Sequence, residues 1–205
     1  MKVAVIGLGI SGLGAAYILK ANGHDVTGFE KNDYIGGHSR TIEVEGAPVD
    51  TGFIVFNYRN YPHLKGLFDL LKVPVEKSDM SFAASVGNDS GGNWLEYGTQ
   101  NLSAIFAQKK NLLRPAFIKM LRDIFKFNKQ AINYVESGLK LGQLLDKLGM
   151  GEWFKKYYIL AIGGAIWSTP INGMLDFPAK TFIRFFENHG LLTVNDQPQW
   201  YTVTG

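Results

Sequence analysis

The sequence contains no cysteine and has little charge of either sign. Without cysteine the chain has no disulfide, no thiolate zinc site, no iron–sulfur cluster and no cysteine nucleophile. Charged residues make up 19% of the 205 residues and the net charge is +3, which is too small to indicate a nucleic-acid partner. The four histidines show no metal-ligand spacing, so we expect no metal site.

A long uninterrupted apolar run is also missing. Residues 157–175 carry no charge, but Gly163, Gly164 and Pro170 are among the residues that interrupt this stretch. It is therefore typical of a buried helix followed by a loop rather than of a membrane span. The apolar run at residues 3–6 is too short for a signal peptide, so we expect a cytoplasmic protein.

Glycine, in contrast, is abundant, with 24 residues that cluster at two places near the N-terminus. The first cluster, residues 7–12, is a G-x-G-x-x-G sequence. It follows an apolar run at residues 3–6, which we expect to be a fully buried strand, and opens a helical pattern over residues 11–22. A second strand pattern over residues 25–30 completes a βαβ unit with a right-handed crossover.

Each glycine of this motif has a role in dinucleotide binding. Gly7 permits a tight turn, Gly9 lets the backbone approach a pyrophosphate, and Gly12 lets the helix pack closely on the strand. The helix N-terminus would offer free N–H groups to the phosphates. Glu30 ends the second strand, where a carboxylate can accept hydrogen bonds from both ribose hydroxyls. The alternative is a glycine-rich turn of an unrelated α/β protein, with Glu30 solvated.

The second cluster, Gly36-Gly37-His38-Ser39-Arg40-Thr41, distinguishes between dinucleotides. Together with the first motif, it makes residues 2–41 resemble the N-terminal fingerprint of the FAD-dependent amine oxidase superfamily. The resemblance implies that Gly36-Gly37 lies along the FAD pyrophosphate and ribityl chain and that the Ser39 hydroxyl donates a hydrogen bond there. Many members have arginine where this chain has His38, so the phosphate contact either comes from Arg40 or is absent, and Arg40 is then a solvated hairpin residue.

The segment Val49-Asp50-Thr51-Gly52 also matches the superfamily. There an Asp-x-Gly segment passes close to the isoalloxazine ring, and the alternative is an ordinary turn at a hairpin end. The cofactor site implied by the resemblance consists of Gly7, Gly9, Ile10, Ser11, Gly12, Glu30, Lys31, Gly36, Gly37, His38, Ser39, Arg40, Gly52 and Phe53. The sequence does not identify a catalytic base.

Residues 51–57, 78–82, 165–170 and 175–179 resemble a bacterial subgroup of this superfamily. Its members are described as predicted NAD/FAD-binding proteins or FAD-dependent oxidoreductases, and some are associated with modified fatty-acid pathways. They are considerably longer than this chain. We therefore expect a fragment, a truncated gene product or half of a split protein, which needs a C-terminal half or an oligomer partner.

The patterns predict an α/β fold with a Rossmann-like βαβ core followed by a mostly helical α+β part, and the resemblance implies that the core binds FAD and is incomplete and that the second part is a substrate domain. We expect residues 1–57 to form the first part and residues 58–205 the second. A hairpin is predicted over residues 41–50 and strands over residues 81–86, 94–97 and 199–204. Helices are predicted over residues 63–72, 102–109, 115–136, 141–148, 152–167 and 179–188.

Residues 109–129 combine seven basic residues with one acid, Asp123, and with interleaved apolar residues. This pattern is typical of a basic amphipathic helix, which lies either on an anionic membrane surface or against the core with a solvated cationic face. The first alternative would place the protein at the periphery of the inner membrane. The basic residues are Lys109, Lys110, Arg114, Lys119, Arg122, Lys126 and Lys129.

For the function, the resemblance implies an FAD-dependent oxidoreductase that transfers hydride from a substrate C–H bond to the flavin. Its substrate would be a small molecule or, from the subgroup and the basic helix, a lipid or fatty-acyl compound. One alternative is an NAD(P)-dependent dehydrogenase that uses only the first glycine motif. Another is a non-catalytic dinucleotide-fold module or half of a split flavoprotein. We expect the 205-residue chain alone to be inactive.

Overall fold

A computed structural model describes residues 1–52, 55–87, 93–193 and 197–204. The chain divides into two compact units. The first unit contains Met1–Ser78 and the strand near the end of the chain, and the second contains Asp79–Gln199. The predicted boundary after residue 57 differs from this division, because the structure assigns a helix and two further strands to the first unit.

The regular elements are listed here in chain order. The strands are β1 (Lys2–Ile6), β2 (Asp25–Phe29), β3 (Thr41–Val44), β4 (Ala47–Asp50), β5 (Phe56–Asn57), β6 (Val75–Ser78), β7 (Ala83–Gly87), β8 (Asn93–Gly98) and β9 (Trp200–Val203). The α-helices are α1 (Ile10–Ala21), α2 (Pro62–Leu71), α3 (Leu102–Ile105), α4 (Pro115–Gln130), α5 (Leu141–Lys147), α6 (Glu152–Phe154), α7 (Leu160–Trp167), α8 (Ile171–Met174) and α9 (Ala179–Asn188).

The predicted βαβ unit is present at the N-terminus. Strands β1 and β2 are parallel, with Lys2 opposite Asp25 and Ile6 opposite Phe29, and α1 connects them and packs against both. The prediction that β1 is fully buried is wrong, because burial alternates along it and Ile6 is 87% exposed. In the described part of the chain, one face of this two-stranded sheet is covered and the other is open, so alternate side chains meet solvent.

The predicted hairpin is confirmed as β3 and β4, which pair antiparallel. Its turn residues Glu45 and Gly46 both have positive φ, at 53° and 80°. Two successive positive φ values are the conformation of a two-residue turn whose twist suits a hairpin. The side chains of Thr41 and Asp50 join the two ends of the hairpin through a hydrogen bond of 2.5 Å.

A three-stranded sheet explains why the chain end belongs to the first unit. Strand β9 lies between β5 and β6 and is antiparallel to both. The sequence predicts β9 but not β6, a four-residue strand directly after Pro74. Helix α2 begins with Pro62 and ends at Leu71, each within one residue of the predicted bound, and the residue that caps it, Lys72, has a left-handed φ of 54°.

The second unit combines the antiparallel pair β7–β8 with helices. Helix α9 has its predicted bounds and α5 has them within one residue, whereas the other helices predicted in this unit divide into shorter elements. The predicted helix at 102–109 ends at Ile105, and a 3-10 helix follows over Lys109–Leu113. Helix α4 ends at Gln130 and continues as a 3-10 helix over Ala131–Tyr134. Between α6 and α7 the chain forms a π-helix over Lys155–Ile159.

The core of the second unit forms where apolar helix faces meet. Most of its fully buried side chains come from α4, α5, α6 and α9 at helical spacing, and Leu95 of β8, Ala131, Ile159 and Met174 of α8 complete the set. Tyr158 is buried as well, and this burial raises its pKa to about 12. No helix among the described residues is long and apolar enough to cross a membrane. The largest fully buried side chains of this unit are Leu95, Phe117, Met120, Phe127, Leu141, Leu144, Leu145, Phe154, Ile159, Phe182 and Phe186.

A glycine-lined candidate dinucleotide site

The first glycine loop connects the end of β1 to the start of α1. Gly7 has a φ of 87°, which only glycine adopts without strain, and its N–H donates to the Phe29 carbonyl at 2.7 Å. Helix α1 begins after Gly9, which offers no side-chain cap, and its first turn holds no acidic residue. The free N–H groups and the positive end of the helix dipole are therefore available to an anion at this turn.

The second glycine pair lies directly against the first loop. The Gly36 N–H donates to the Leu8 carbonyl at 2.8 Å, and Gly9 and Gly36 form an isolated parallel bridge. Gly36 and Gly37 both have positive φ, at 111° and 63°. Two glycine segments that are distant in sequence thus form one continuous, side-chain-free backbone surface at the N-terminus of α1.

The space around these glycines separates structural from ligand-related roles. A Cβ on Gly12 would lie 1.9 Å from the Gly7 carbonyl oxygen, so this glycine is required for α1 to pack on β1. A Cβ on Gly37 would lie 3.0 Å from the Gly9 Cα, so Gly37 is required for the contact between the loops.

Gly9 differs from both. Its φ of −70° suits any residue, and a Cβ there would come no closer than 3.9 Å to any other atom. The chain's own packing therefore does not demand glycine at position 9. The absence of a side chain at this point leaves a cradle at the helix N-terminus, which fits the close approach of a pyrophosphate.

Glu30 links the end of β2 to the first glycine loop. Its Oε2 accepts from the Leu8 N–H at 2.8 Å, and its Oε1 accepts from the N–H groups of Lys31 and Asn32 at 2.8 and 3.0 Å. These backbone donors, Asn32 first and then Leu8, hold the pKa of Glu30 below its ordinary value. A carboxylate has about four acceptor positions, so Oε2 keeps room for one ribose hydroxyl in this arrangement rather than for both.

Three further predicted residues, His38, Ser39 and Arg40, follow the second glycine pair. The Ser39 N–H donates to the Gly36 carbonyl at 3.1 Å, and the Arg40 N–H donates to the His38 carbonyl at 3.0 Å, so the loop is a tight turn. The Arg40 guanidinium lies 4.2 Å above the Tyr34 ring, a cation–π contact. The side chains of His38, Ser39 and Arg40 are all exposed. Their roles toward a cofactor remain predictions.

Gly52 is close to the chain's own backbone. A Cβ there would lie 1.6 Å from the His38 carbonyl oxygen, so glycine is required for the hairpin to pack on the loop that follows the second glycine pair. This contact explains Gly52 without a cofactor, and its predicted approach to the flavin ring stays a prediction. Phe53, the last predicted site residue, lies outside the described residues.

Leu8 and Gly28 are two site residues that sequence reasoning missed. The Leu8 N–H and carbonyl connect Glu30 to Gly36, so this residue joins all three segments of the site. A Cβ on Gly28 would lie 2.9 Å from the Leu8 side chain, so Gly28 makes room for it on β2. Leu8 occupies a variable position of the motif, and only its backbone bonds, which are not visible in a sequence pattern, reveal its role.

Comparisons with known proteins agree with this geometry. Residues 5–71 match the family model of an NAD(P)-binding Rossmann-like domain. The chain is 33% identical over 94 residues to a 4,4'-diapophytoene desaturase of Staphylococcus aureus, which covers 38% of this chain and 19% of the desaturase. It is 48% identical over 63 residues to a 1-hydroxycarotenoid 3,4-desaturase of a Flavobacterium species, covering 31% of this chain and 12% of that enzyme.

Solved structures extend the similarity to the whole chain. A putrescine oxidase bound to putrescine matches all of this chain with a TM-score of 0.64 at 20% identity, and the match covers 46% of that protein. An oxidoreductase from Methanosarcina mazei matches 98% of the chain with a TM-score of 0.61 at 18% identity, over 45% of its own length. The chain thus spans less than a fifth of the length of the desaturases and less than half of that of the solved structures.

These similarities confirm the α/β fold class with a Rossmann-like core, and the names of the two desaturases are of the predicted oxidoreductase kind. With two glycine segments joined at the N-terminus of α1, residues 5–71 have the geometry of the NAD(P)-binding Rossmann-like domain that the family model describes, and this geometry agrees with the resemblance to the FAD-dependent amine oxidase superfamily.

Proposed function

We propose that the whole protein oxidises a substrate C–H bond by hydride transfer to FAD, in the manner of an amine oxidase or a desaturase. The observation that carries this proposal is the hydrogen bond from the Gly36 N–H to the Leu8 carbonyl, which places the second glycine pair beside the first loop. A nicotinamide dehydrogenase has no need of that second pair. By resemblance to the superfamily, it accommodates the pyrophosphate and ribityl chain of FAD.

The chain's own residues bind and orient the cofactor in this proposal. The N-terminus of α1 and the backbone of Gly9, Gly36 and Gly37 hold the pyrophosphate, since no side chain obstructs that surface. Glu30 accepts a hydrogen bond from the adenosine ribose through the remaining position on Oε2. When bound, FAD supplies the hydride acceptor, and the protein provides orientation and electrostatics.

We propose an apolar lipid or fatty-acyl compound as the substrate. Support comes from the names of two of the curated relatives, which are both desaturases and of which one is a hydroxycarotenoid desaturase. The solved amine oxidase is a relative in fold, so an amine is the competing substrate class. Because the chain covers less than half of that oxidase, we propose that activity requires a further polypeptide segment, in the same chain or in a partner.

Flavin binding by the 205-residue chain tests the cofactor part of this proposal. The chain is purified, incubated with FAD and passed through gel filtration, and the flavin absorbance of the protein peak is measured. We expect bound FAD that an equal concentration of NAD⁺ or NADP⁺ does not displace. A protein peak without flavin, or displacement by either nicotinamide dinucleotide, would contradict the proposal.

A matched pair of glycine variants localises the binding. Gly37→Ala and Gly46→Ala both introduce a side chain at a positive φ, of 63° and 80° respectively. Only the Cβ at position 37 meets another loop, 3.0 Å from Gly9, whereas the Cβ at position 46 meets nothing within 4 Å. We expect Gly37→Ala to weaken FAD binding and Gly46→Ala to retain it. Equal effects of the two variants would show that FAD does not use this site.

The substrate class is tested separately, with a version of the protein that retains flavin and includes the further segment. Loss of flavin absorbance under anaerobic conditions is recorded with fatty-acyl, carotenoid-like and primary amine compounds. Reduction by apolar compounds alone supports a lipid substrate. Reduction by amines alone would reject it while leaving the FAD assignment intact.

A further inference from the structure

The segment from Lys109 to Lys129 carries seven basic side chains, and the structure divides them into two groups. Three of them bind atoms of the second unit. The Arg114 guanidinium donates to the Trp94 carbonyl at 2.6 Å and to Asn111 at 3.0 Å. Lys119 bonds to Asp123 at 2.8 Å, and Lys126 donates to the Leu148 carbonyl at 2.5 Å. These three cations therefore have structural roles.

The other four cations are exposed and have no bonded partner among the residues that the structure describes. They are Lys109 and Lys110 in the 3-10 helix and Arg122 and Lys129 on α4. The single acid of the segment, Asp123, does not neutralise them. It is buried, and its Oδ2 accepts from Lys119 and from the Gly151 N–H at 3.0 Å.

Exposed apolar side chains alternate with these cations. Leu113 is 87% exposed and Phe125 is 63% exposed, and Leu112 and Ile118 are exposed as well. On α4 the residues 118, 122, 125 and 129 are spaced for one face of a helix, opposite the buried Phe117, Met120 and Phe127. We give the name basic–apolar face to the exposed side chains on this side of α4 together with those of the adjoining 3-10 helix, which are Lys109, Lys110, Leu112, Leu113, Ile118, Arg122, Phe125 and Lys129.

A solvated cationic face does not account for this composition. A helix that only faces water has polar residues on its outer side, whereas on α4 the exposed Ile118 and Phe125 alternate with Arg122 and Lys129. Apolar side chains among unneutralised lysines and arginines are the pattern of helices that lie in the interface of an anionic membrane. There the apolar groups enter the acyl boundary and each cation is attracted by the negative surface potential.

We propose that the basic–apolar face docks the protein on an anionic lipid surface, with Phe125 and Leu113 inserted and the four exposed cations in contact with lipid headgroups. This inference is independent of the proposed flavin chemistry, since it uses other residues of the chain. It implies peripheral attachment through one face.

Co-sedimentation of the 205-residue chain with vesicles tests the proposal. Vesicles of phosphatidylcholine alone are compared with vesicles that also contain phosphatidylglycerol, at low and high salt. We expect binding that requires phosphatidylglycerol and weakens at high salt, because the exposed cations are screened. No binding to either vesicle, or equal binding to both, would overturn the proposal.

The charge-reversal variants have a control outside the basic–apolar face. Arg122→Glu/Lys129→Glu reverses two cations of the face, and we expect at least about tenfold weaker binding to the anionic vesicles. Lys77→Glu/Lys147→Glu makes the same change of net charge elsewhere, and we expect it to bind within about threefold of the original chain. Equal losses in both double variants would show that net charge alone drives binding.

Insertion is tested with a tryptophan probe. Phe125→Trp places an indole on the face, and Leu102→Trp places one at an exposed position outside it. We expect brominated lipids to quench the first indole and not the second. Because both positions are exposed, neither change disturbs the core, and circular dichroism checks the fold. Absence of quenching at position 125 would overturn the proposal. Self-association of the chain into dimers that vesicles do not dissociate would instead assign the basic–apolar face to a second copy of the chain.

Discussion

A single methyl group at Gly9 or at Gly12 separates the cofactor role of the first loop from its structural role. At Gly12 the new Cβ would lie 1.9 Å from the Gly7 oxygen, and real Cβ contacts are essentially never shorter than 3.0 Å. Helix α1 must therefore move away from β1 by about 1 Å, a strain that typically costs about 1–3 kcal/mol. Alanine favours the helix over glycine by up to about 1 kcal/mol, so the strain outweighs the propensity.

At Gly9 the balance is different. The Cβ has no contact shorter than 3.9 Å and the backbone is extended, so only the weaker capping by alanine remains, at a cost of less than about 1 kcal/mol. The same methyl group occupies the cradle at the helix N-terminus. We therefore expect Gly9→Ala to weaken FAD binding at least about tenfold while the fold of the first unit persists.

Hydrogen exchange of the α1 amides measures the first effect without assuming that the two units unfold together. For Gly12→Ala we expect protection to fall by about 5- to 30-fold, which corresponds to about 1–2 kcal/mol, and for Gly9→Ala by no more than about fivefold. Titration with FAD measures the second effect. Unchanged protection in Gly12→Ala would refute the packing argument, and unchanged FAD affinity in Gly9→Ala would refute the cradle.

Three further predictions concern ionisable groups. Glu30 has a lowered pKa, so its contribution to stability is present above the ordinary carboxyl range and is lost as the pH falls through the pKa of the folded state. The difference in melting temperature between the original chain and Glu30→Gln should therefore shrink below about pH 4. A difference that stays constant with pH would contradict this. Burial raises the pKa of Tyr158 to about 12, so its contribution to the free energy of unfolding is present below pH 10 and should fall by about 3 kcal/mol between pH 10 and 12. Melting curves recorded over this alkaline range should show a smaller decline in Tyr158→Phe than in the original chain. Asp123→Asn should lower the free energy of unfolding by about 1.5–3 kcal/mol in a urea titration, because this carboxylate is buried and accepts two hydrogen bonds. The control Asp69→Asn breaks an exposed ion pair with Lys65 and should lower the free energy of unfolding by less than about 1 kcal/mol in the same titration.

Much of the local structure could be predicted from the sequence because its signals are short-range. The G-x-G-x-x-G motif between a strand and a helix, the turn at Glu45 and Gly46, and the bounds of α9 all depend on residues a few positions apart. Positive-φ glycines and helical spacing are strong constraints at that range. The four-residue strand β6 was missed because so short a segment has too few residues to establish a pattern.

Long-range contacts required the tertiary structure. Nothing in the sequence indicates that Gly36 bonds to Leu8, that Gly52 packs on the His38 carbonyl, or that β1 is open on one face. The sequence also does not indicate which basic side chains of residues 109–129 form hydrogen bonds. Arg114 and Arg122 are alike in the sequence, yet of the two only Arg114 donates to the Trp94 carbonyl.

The absence of cysteine and the abundance of glycine thus determined which chemistry this chain excludes and which kind of cofactor it suits. The tertiary structure decided which glycines serve the fold and which one leaves room for a ligand. The physical reason is that the sequence shows only that a residue is glycine and not which atoms surround it. The nearest atom to a Cβ would be 1.9 Å away at Gly12 and 3.9 Å away at Gly9, and this difference distinguishes a packing role from a site that leaves room for a ligand.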